Sequence, residues 1–255
     1  MNDIKKTLLI LKARLPEVIL LVGLNVLVVL SSLLFREENS EPMVTYSFFS
    51  VIISLLFTIG LINLRLGFLR TVYLEEEKQQ LPSVLLKTGK HFFWRIVYLG
   101  LLYVIVYLAL AWFIFSITKQ VIPISKGFFE TAPWVRQLFF ILAMLTLVKP
   151  FLFIPAMIIV LDCGIFQSFR LLRQCHLRDS KPLVMLFFVQ MAFTFLWSFL
   201  PISDDKVVMS EYVFISAGSI IGYFLSLAIA ISAIRFVGSL NLIYDAGIEP
   251  LMPKN

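Results

Sequence analysis

The chain has 255 residues, of which 60% are apolar and 15% charged, with a mean hydropathy of +0.92, which excludes an ordinary water-soluble globule. A net charge of +6 and a pI near 9.3 would also suit a nucleic-acid binder, but the basic residues flank apolar stretches, so no nucleic-acid partner is expected. With two His, two Cys and no recognisable catalytic motif, composition points to a helical integral membrane protein and names no reaction.

In chain order, the first fifteen residues place Ile4, Leu8, Leu11 and Leu15 at helical spacing. Lys5, Lys6, Lys12 and Arg14 supply a basic surface, and Pro16 breaks the run. This pattern predicts a helix over 1–15 lying on the inner leaflet. Val18 to Phe35 is too long for a signal-peptide core, and Ser31, Ser32 and Arg36 offer no cleavage pattern, so the segment reads as a retained anchor. A hydrocarbon core of roughly 30 Å needs about 20 residues of helix. Six stretches meet that length, at about 17–35, 46–69, 92–118, 136–161, 182–201 and 212–236. The expectation is an all-α, polytopic transmembrane helix bundle of six spans, forming a single domain over 1–255.

Orientation follows from the positive-inside bias of short flanks. Lys5, Lys6, Lys12, Arg14, Arg65, Arg70, Lys78, Lys87, Lys90, Arg95, Arg170, Arg173, Arg178, Lys181, Arg235 and Lys254 all fall on one side of the six-span reading. The opposite flanks hold Arg36, Lys119, Lys126, Arg136 and Lys206 among Glu37, Glu38, Glu41, Glu130, Asp204, Asp205 and Glu211. Both termini are therefore expected to be cytoplasmic, in a bacterial inner membrane. Trp94, Tyr73 and Tyr244 fit an inner aromatic belt, and Trp112, Trp134, Trp197, Tyr46 and Tyr212 an outer one. Gln120 to Val135 is too apolar for a free loop and too short to cross, which predicts an outer interfacial segment. Further basic amphipathic segments precede the third span (Leu81 to Lys90) and the fifth (Phe166 to Arg178). They read either as topology-setting flanks or as contacts to anionic headgroups at the inner leaflet.

The ends of the even-numbered spans share a spacing. Gly67, Leu69 and Tyr73 match Gly238, Leu240 and Tyr244, and Gly164, Phe166 and Arg170 hold the corresponding places, as three repeated helical hairpins would require. The run from Phe153 through Ile154-Pro155-Ala156 to Asp162-Cys163-Gly164, continued by Gln167-Ser168-Phe169-Arg170-Leu171-Leu172, resembles a mostly uncharacterised bacterial six-helix membrane family. That module is also fused to some glycerophosphodiester phosphodiesterases. Ala156 stands where the family usually has glycine, and Lys181-Pro182 where an aromatic residue is common. The resemblance implies a fold and a location and brings no catalytic residues.

Lys149 is the ionisable residue nearest the middle of the 136–161 stretch, where translocon scales put the cost of a charged Lys at roughly 2.5–3.5 kcal/mol. Pro150 and Pro155 free two carbonyls one turn earlier that an ammonium can satisfy. Lys149 is thus either an anionic lipid or substrate contact in a helix broken at Lys149-Pro150, or a snorkelling lysine in the bundle. Gly218, Gly222, Ser226 and Ala230 recur every four residues and form a candidate helix-packing face. Asn25, Asn63, Gln190, Thr194 and Ser198 read as interhelical glue. His91, His176, Cys163 and Cys175 lack metal-ligand spacing, the two cysteines read as free thiols, and Glu75-Glu76-Glu77 beside Lys78 reads as a solvated helix end. No metal, cofactor or catalytic residue is expected. These features favour a non-enzymatic scaffold or subunit organising lipid or other membrane-protein subunits. A transporter of a lipid or small amphiphile built on Lys149 comes next, and a membrane-lipid enzyme third.

Overall fold

The computed structural model describes residues 2–38, 44–74, 81–121, 147–197 and 209–240, with positions 141, 142 and 145. Eight α-helices occur among them: α1 Asn2–Ala13, α2 Leu15–Glu38, α3 Val44–Tyr73, α4 Pro82–Val121, α5 Val148–Leu161, α6 Ile165–Leu171, α7 Lys181–Trp197 and α8 Met209–Ser239. Two 3₁₀ turns, Leu172–Gln174 and Leu177–Ser180, join α6 to α7, and no strand occurs among the described residues. The stretch after Val121, the Glu75-Glu76-Glu77 cluster, Ser198, Asp204, Asp205 and Tyr244 lie outside the described residues.

All six expected stretches overlap a helix, but not all helices have the length to cross. Among the described residues, Ile52–Tyr73, Pro82–Ile117 and Tyr212–Ser239 are long and apolar enough, giving 3 candidate crossings, or up to 5 if each of two bent helix pairs counts as one. The pairs are α1 with α2, bent by 87°, and α5 with α6, bent by 115°. The 136–161 reading is corrected in one respect. Helix α5 begins at Val148 after a non-helical Leu147 (φ −98°, ψ 6°), and its 14 residues rise only about 21 Å. Pro150 then sits in the first turn, where a missing N–H leaves no intrahelical bond unmade. Helix α7, at 17 residues, is also short.

The chain forms two compact units, 1–93 with 200–231 and 94–199 with 232–255, so α4 and α8 each contribute to both. In the first unit, Thr7, Leu11, Arg14, Val18 and Leu21 are buried at alternating intervals of four and three residues, through the α1–α2 elbow. The expected apolar face of the N-terminal helix is therefore rotated: Leu8 and Leu15 are 49% and 52% exposed, while Arg14, expected on the basic surface, is buried. Helices α3 and α4 cross antiparallel at two glycines. A Cβ on Gly67 would strike the Leu85 carbonyl, and one on Gly89 would strike the Asn63 carbonyl. Backbone meets backbone there, so no larger residue fits.

In the second unit, α5 is apolar all round and buried from Leu152 to Ile154 and from Ala156 to Val160, as a core helix must be. Phe153 packs on Phe236 of α8 at 5.3 Å, and Phe151 on Phe187 of α7 at 6.0 Å. Asp162 ends α5 in the left-handed region (φ 51°), a conformation in which Asp is enriched among non-glycine residues. Gly164, extended, then opens α6, and its N–H donates to Gln167 Oε1 at 2.9 Å. The three glycines of the expected hairpin repeat thus occupy different settings: Gly67 inside α3 at a close crossing, Gly164 at the start of α6, and Gly238 in the last turn of α8.

Candidate functional site: charged and polar groups inside the bundle

Charged groups inside an apolar bundle are costly, so their partners show what each is for. At the α1–α2 elbow, Arg14 Nη1 lies 3.5 Å from Glu17 Oε2 and donates to Thr71 Oγ1 at 2.7 Å, while Nη2 reaches the Thr71 carbonyl at 3.4 Å. The side chains of Arg14 and Glu17 are only 6% and 5% exposed. The guanidinium also lies 6.0 Å from the Phe68 ring centroid. This cluster ties the elbow to the end of α3.

A second cluster holds the α5–α6 turn. Arg95 pairs with the Asp162 carboxylate and donates to the Asp162 carbonyl at 3.1 Å, so one cation fixes the strained residue at both ends. Behind it, Cys163 Sγ lies 3.0 Å from Ser168 Oγ, and Ser168 Oγ donates to the Gly164 carbonyl at 2.9 Å. Both cysteines are free, and both are buried.

Lys149 is half-buried in the first turn of α5, beside the Leu147 break. The Pro150 carbonyl accepts from Tyr103 Oη at 2.8 Å, which ties the first turn of α5 to α4. Lys149 is also close enough to Cys175 for its charge to be felt. Burial pushes the Cys175 thiol up to about 11, and the ammonium pulls in the opposite direction.

The third cluster is one that sequence reasoning missed. Arg65 was counted with the inner flank, and its Cα lies about 10 Å beyond the midpoint of α3 toward that end at 1.5 Å per residue, four residues inside the 46–69 stretch. Its Nη2 donates to Ser226 Oγ at 2.7 Å and to the Ser226 carbonyl at 3.3 Å, and its guanidinium stands 5.3 Å from the Tyr223 ring centroid. Ser226 is itself at the middle of Tyr212–Ser239. No carboxylate pairs with Arg65 among the described residues. Tyr223 is 8% exposed, and its hydroxyl has no hydrogen-bond partner among the described residues. The signal was present only in part: an Arg four residues inside the end of one apolar stretch and a Ser near the centre of another.

The expected small-residue face of α8 is therefore partly polar in use. Ser226 receives Arg65, Gly218 is buried, and Gly222 and Ala230 are half-buried. The neighbouring Ser219 accepts from Asn25 Nδ2 of α2 at 2.7 Å, which is interhelical glue of the expected kind. Asn63 and Thr194 instead bond carbonyls of their own helices, Ile59 and Gln190. Among the described residues, no group of three or more His, Cys, Asp or Glu is placed to hold a metal.

No protein-family model, curated protein or solved structure matches the chain.

Proposed function

We propose that the protein is a six-crossing component of the bacterial inner membrane, with both termini cytoplasmic, that acts without chemistry of its own as a scaffold or subunit organising lipid or partner proteins. The six-crossing reading counts α2, α3, α4, the α5 region, α7 and α8, and draws its orientation from the basic flanks. The observation that carries the functional reading is how the carboxylates inside the bundle are used. Glu17 is held by Arg14 and Asp162 by Arg95, each at a bend, so both groups fasten helices where an enzyme would need a poised acid or base. A hairpin repeat would give such a scaffold equivalent lipid-facing surfaces, and the recurrent basic lead-in segments support it.

Gentle extraction followed by native mass spectrometry tests the reading. A stable adduct of lipid or of a second protein chain is the expected result. A bare monomer that turns over added lipid would refute it.

The transporter reading is favoured by one observation, the Leu147 break that places Lys149 in the first turn of α5. Lys149→Leu would then abolish amphiphile flux in proteoliposomes. On the scaffold reading, no flux exists to lose.

A further inference from the structure

We infer that Arg65, Ser226 and Tyr223 form a binding site for the oxyanion of an anionic amphiphile at the middle of α8. The inference rests on the lipid-organising reading and names its ligand.

The argument starts from the hydrogen-bonding capacity of Arg65. A guanidinium carries five N–H donors in a planar fork that matches carboxylate and phosphate. Here one nitrogen, Nη2, makes both hydrogen bonds, to the hydroxyl and carbonyl of Ser226, and neither acceptor carries charge. Ser226 and the Tyr223 ring orient the guanidinium without neutralising it. The two other arginine clusters set the standard: Arg14 has Glu17, and Arg95 has Asp162. A cation inside the crossings left with only neutral partners selects for an anion from outside the chain.

Tyr223 supplies the second, independent observation. Its hydroxyl is buried and unpartnered among the described residues, a condition that costs free energy unless something fills it. It stands on the same helix, one turn from Ser226, with its ring under the guanidinium. An oxyanion resting on Arg65 is well placed to accept from this hydroxyl, which satisfies both groups together.

The tail is argued from the surroundings: Arg65 and Ser226 lie within long apolar crossings, so an anion that reaches them through the bilayer carries a hydrocarbon chain. The ligand class is therefore a carboxylate or phosphate on a hydrocarbon chain, with free phosphate as the alternative source of the same anion.

The test uses full-length protein, stripped of lipid in neutral detergent and titrated with phosphatidylglycerol, phosphatidylcholine or inorganic phosphate, with bound species counted by native mass spectrometry. Wild type should bind phosphatidylglycerol in preference to phosphatidylcholine. Arg65→Leu should weaken that binding by roughly thirtyfold, as for loss of a charged hydrogen-bonding partner, and Arg65→Lys should restore part of it. Tyr223→Phe removes only the unpartnered hydroxyl. It should therefore keep the fold and weaken binding by about threefold to tenfold, which keeps the inference falsifiable if Arg65→Leu does not fold. Competition by millimolar phosphate would identify a free anion as ligand. Phosphatidylglycerol binding unchanged in both Arg65→Leu and Tyr223→Phe overturns the inference and leaves the scaffold reading standing. Wild type that takes up neither lipid nor phosphate and carries no partner chain overturns both.

Discussion

The bends and the interior of the crossings treat arginine differently. At the bends, Arg14 and Arg95 each meet a carboxylate, and in both cases the pair holds a chain reversal against its neighbour. Inside the crossings, Arg65 meets a hydroxyl, a carbonyl and an aromatic ring. A buried ion pair is a fastener whose loss exposes an unpaired charge, whereas a cation with neutral partners has its binding capacity in reserve. The same side chain type is structural in one region and available to a ligand in the other.

The largest expected effect breaks the frame that carries both regions. Gly67→Ala should cost at least about 3 kcal/mol, the upper range for overpacking, because the new methyl group meets the Leu85 backbone, which cannot rotate away. Gly60→Ala, where nothing lies within 4 Å, should be neutral in the same thermal-unfolding assay.

Next comes the elbow. Arg14→Met leaves Glu17 buried without its cation and should lose about 3–5 kcal/mol, while Arg14→Met combined with Glu17→Leu should recover most of it. Equal losses in the single and double variants would show that the pair does not act as a fastener. The Asp162 turn is more exposed, with side chains at 35% and 21%, so Asp162→Asn should cost only about 1 kcal/mol by denaturant unfolding while keeping a residue that tolerates the left-handed backbone.

The smallest effect lies at the helix break. Because burial raises the Cys175 thiol to about 11, alkylation by a membrane-permeant maleimide should be slow at pH 8 and climb as pH approaches that value. Lys149→Leu removes the cation that favours the thiolate, so alkylation at fixed pH should slow by about two- to threefold. Faster alkylation in the variant would contradict the proximity of the two groups.

The helices were legible because length and apolarity alone define a candidate crossing: all six stretches overlap a helix, and three of them meet one long enough to cross by itself. The breaks were only half legible. Pro16 announced the first elbow, but Pro150 lies three residues after the actual break at Leu147, since proline is tolerated in a first turn as well as at a kink. Partner choice was least legible. Arg14 and Arg65 look alike in sequence, as basic residues near span ends, and only the fold brings Glu17 and Thr71 to one and Ser226 and Tyr223 to the other. The glycine series was only part of the packing signal: Gly67 and Gly89, which lie on different helices and so make no series, also stand where backbone meets backbone.

The central claim is that an arginine inside the crossings with neutral partners serves a ligand rather than the fold. The most direct measurement is the thermal midpoint of wild type and Arg65→Leu with and without saturating phosphatidylglycerol. A ligand at 100 times its Kd stabilises by about 2.7 kcal/mol. The account predicts that the two proteins melt alike without lipid and that only wild type shifts upward with it. An equal shift in both, or a lipid-free Arg65→Leu that is destabilised as severely as Arg14→Met, would contradict it.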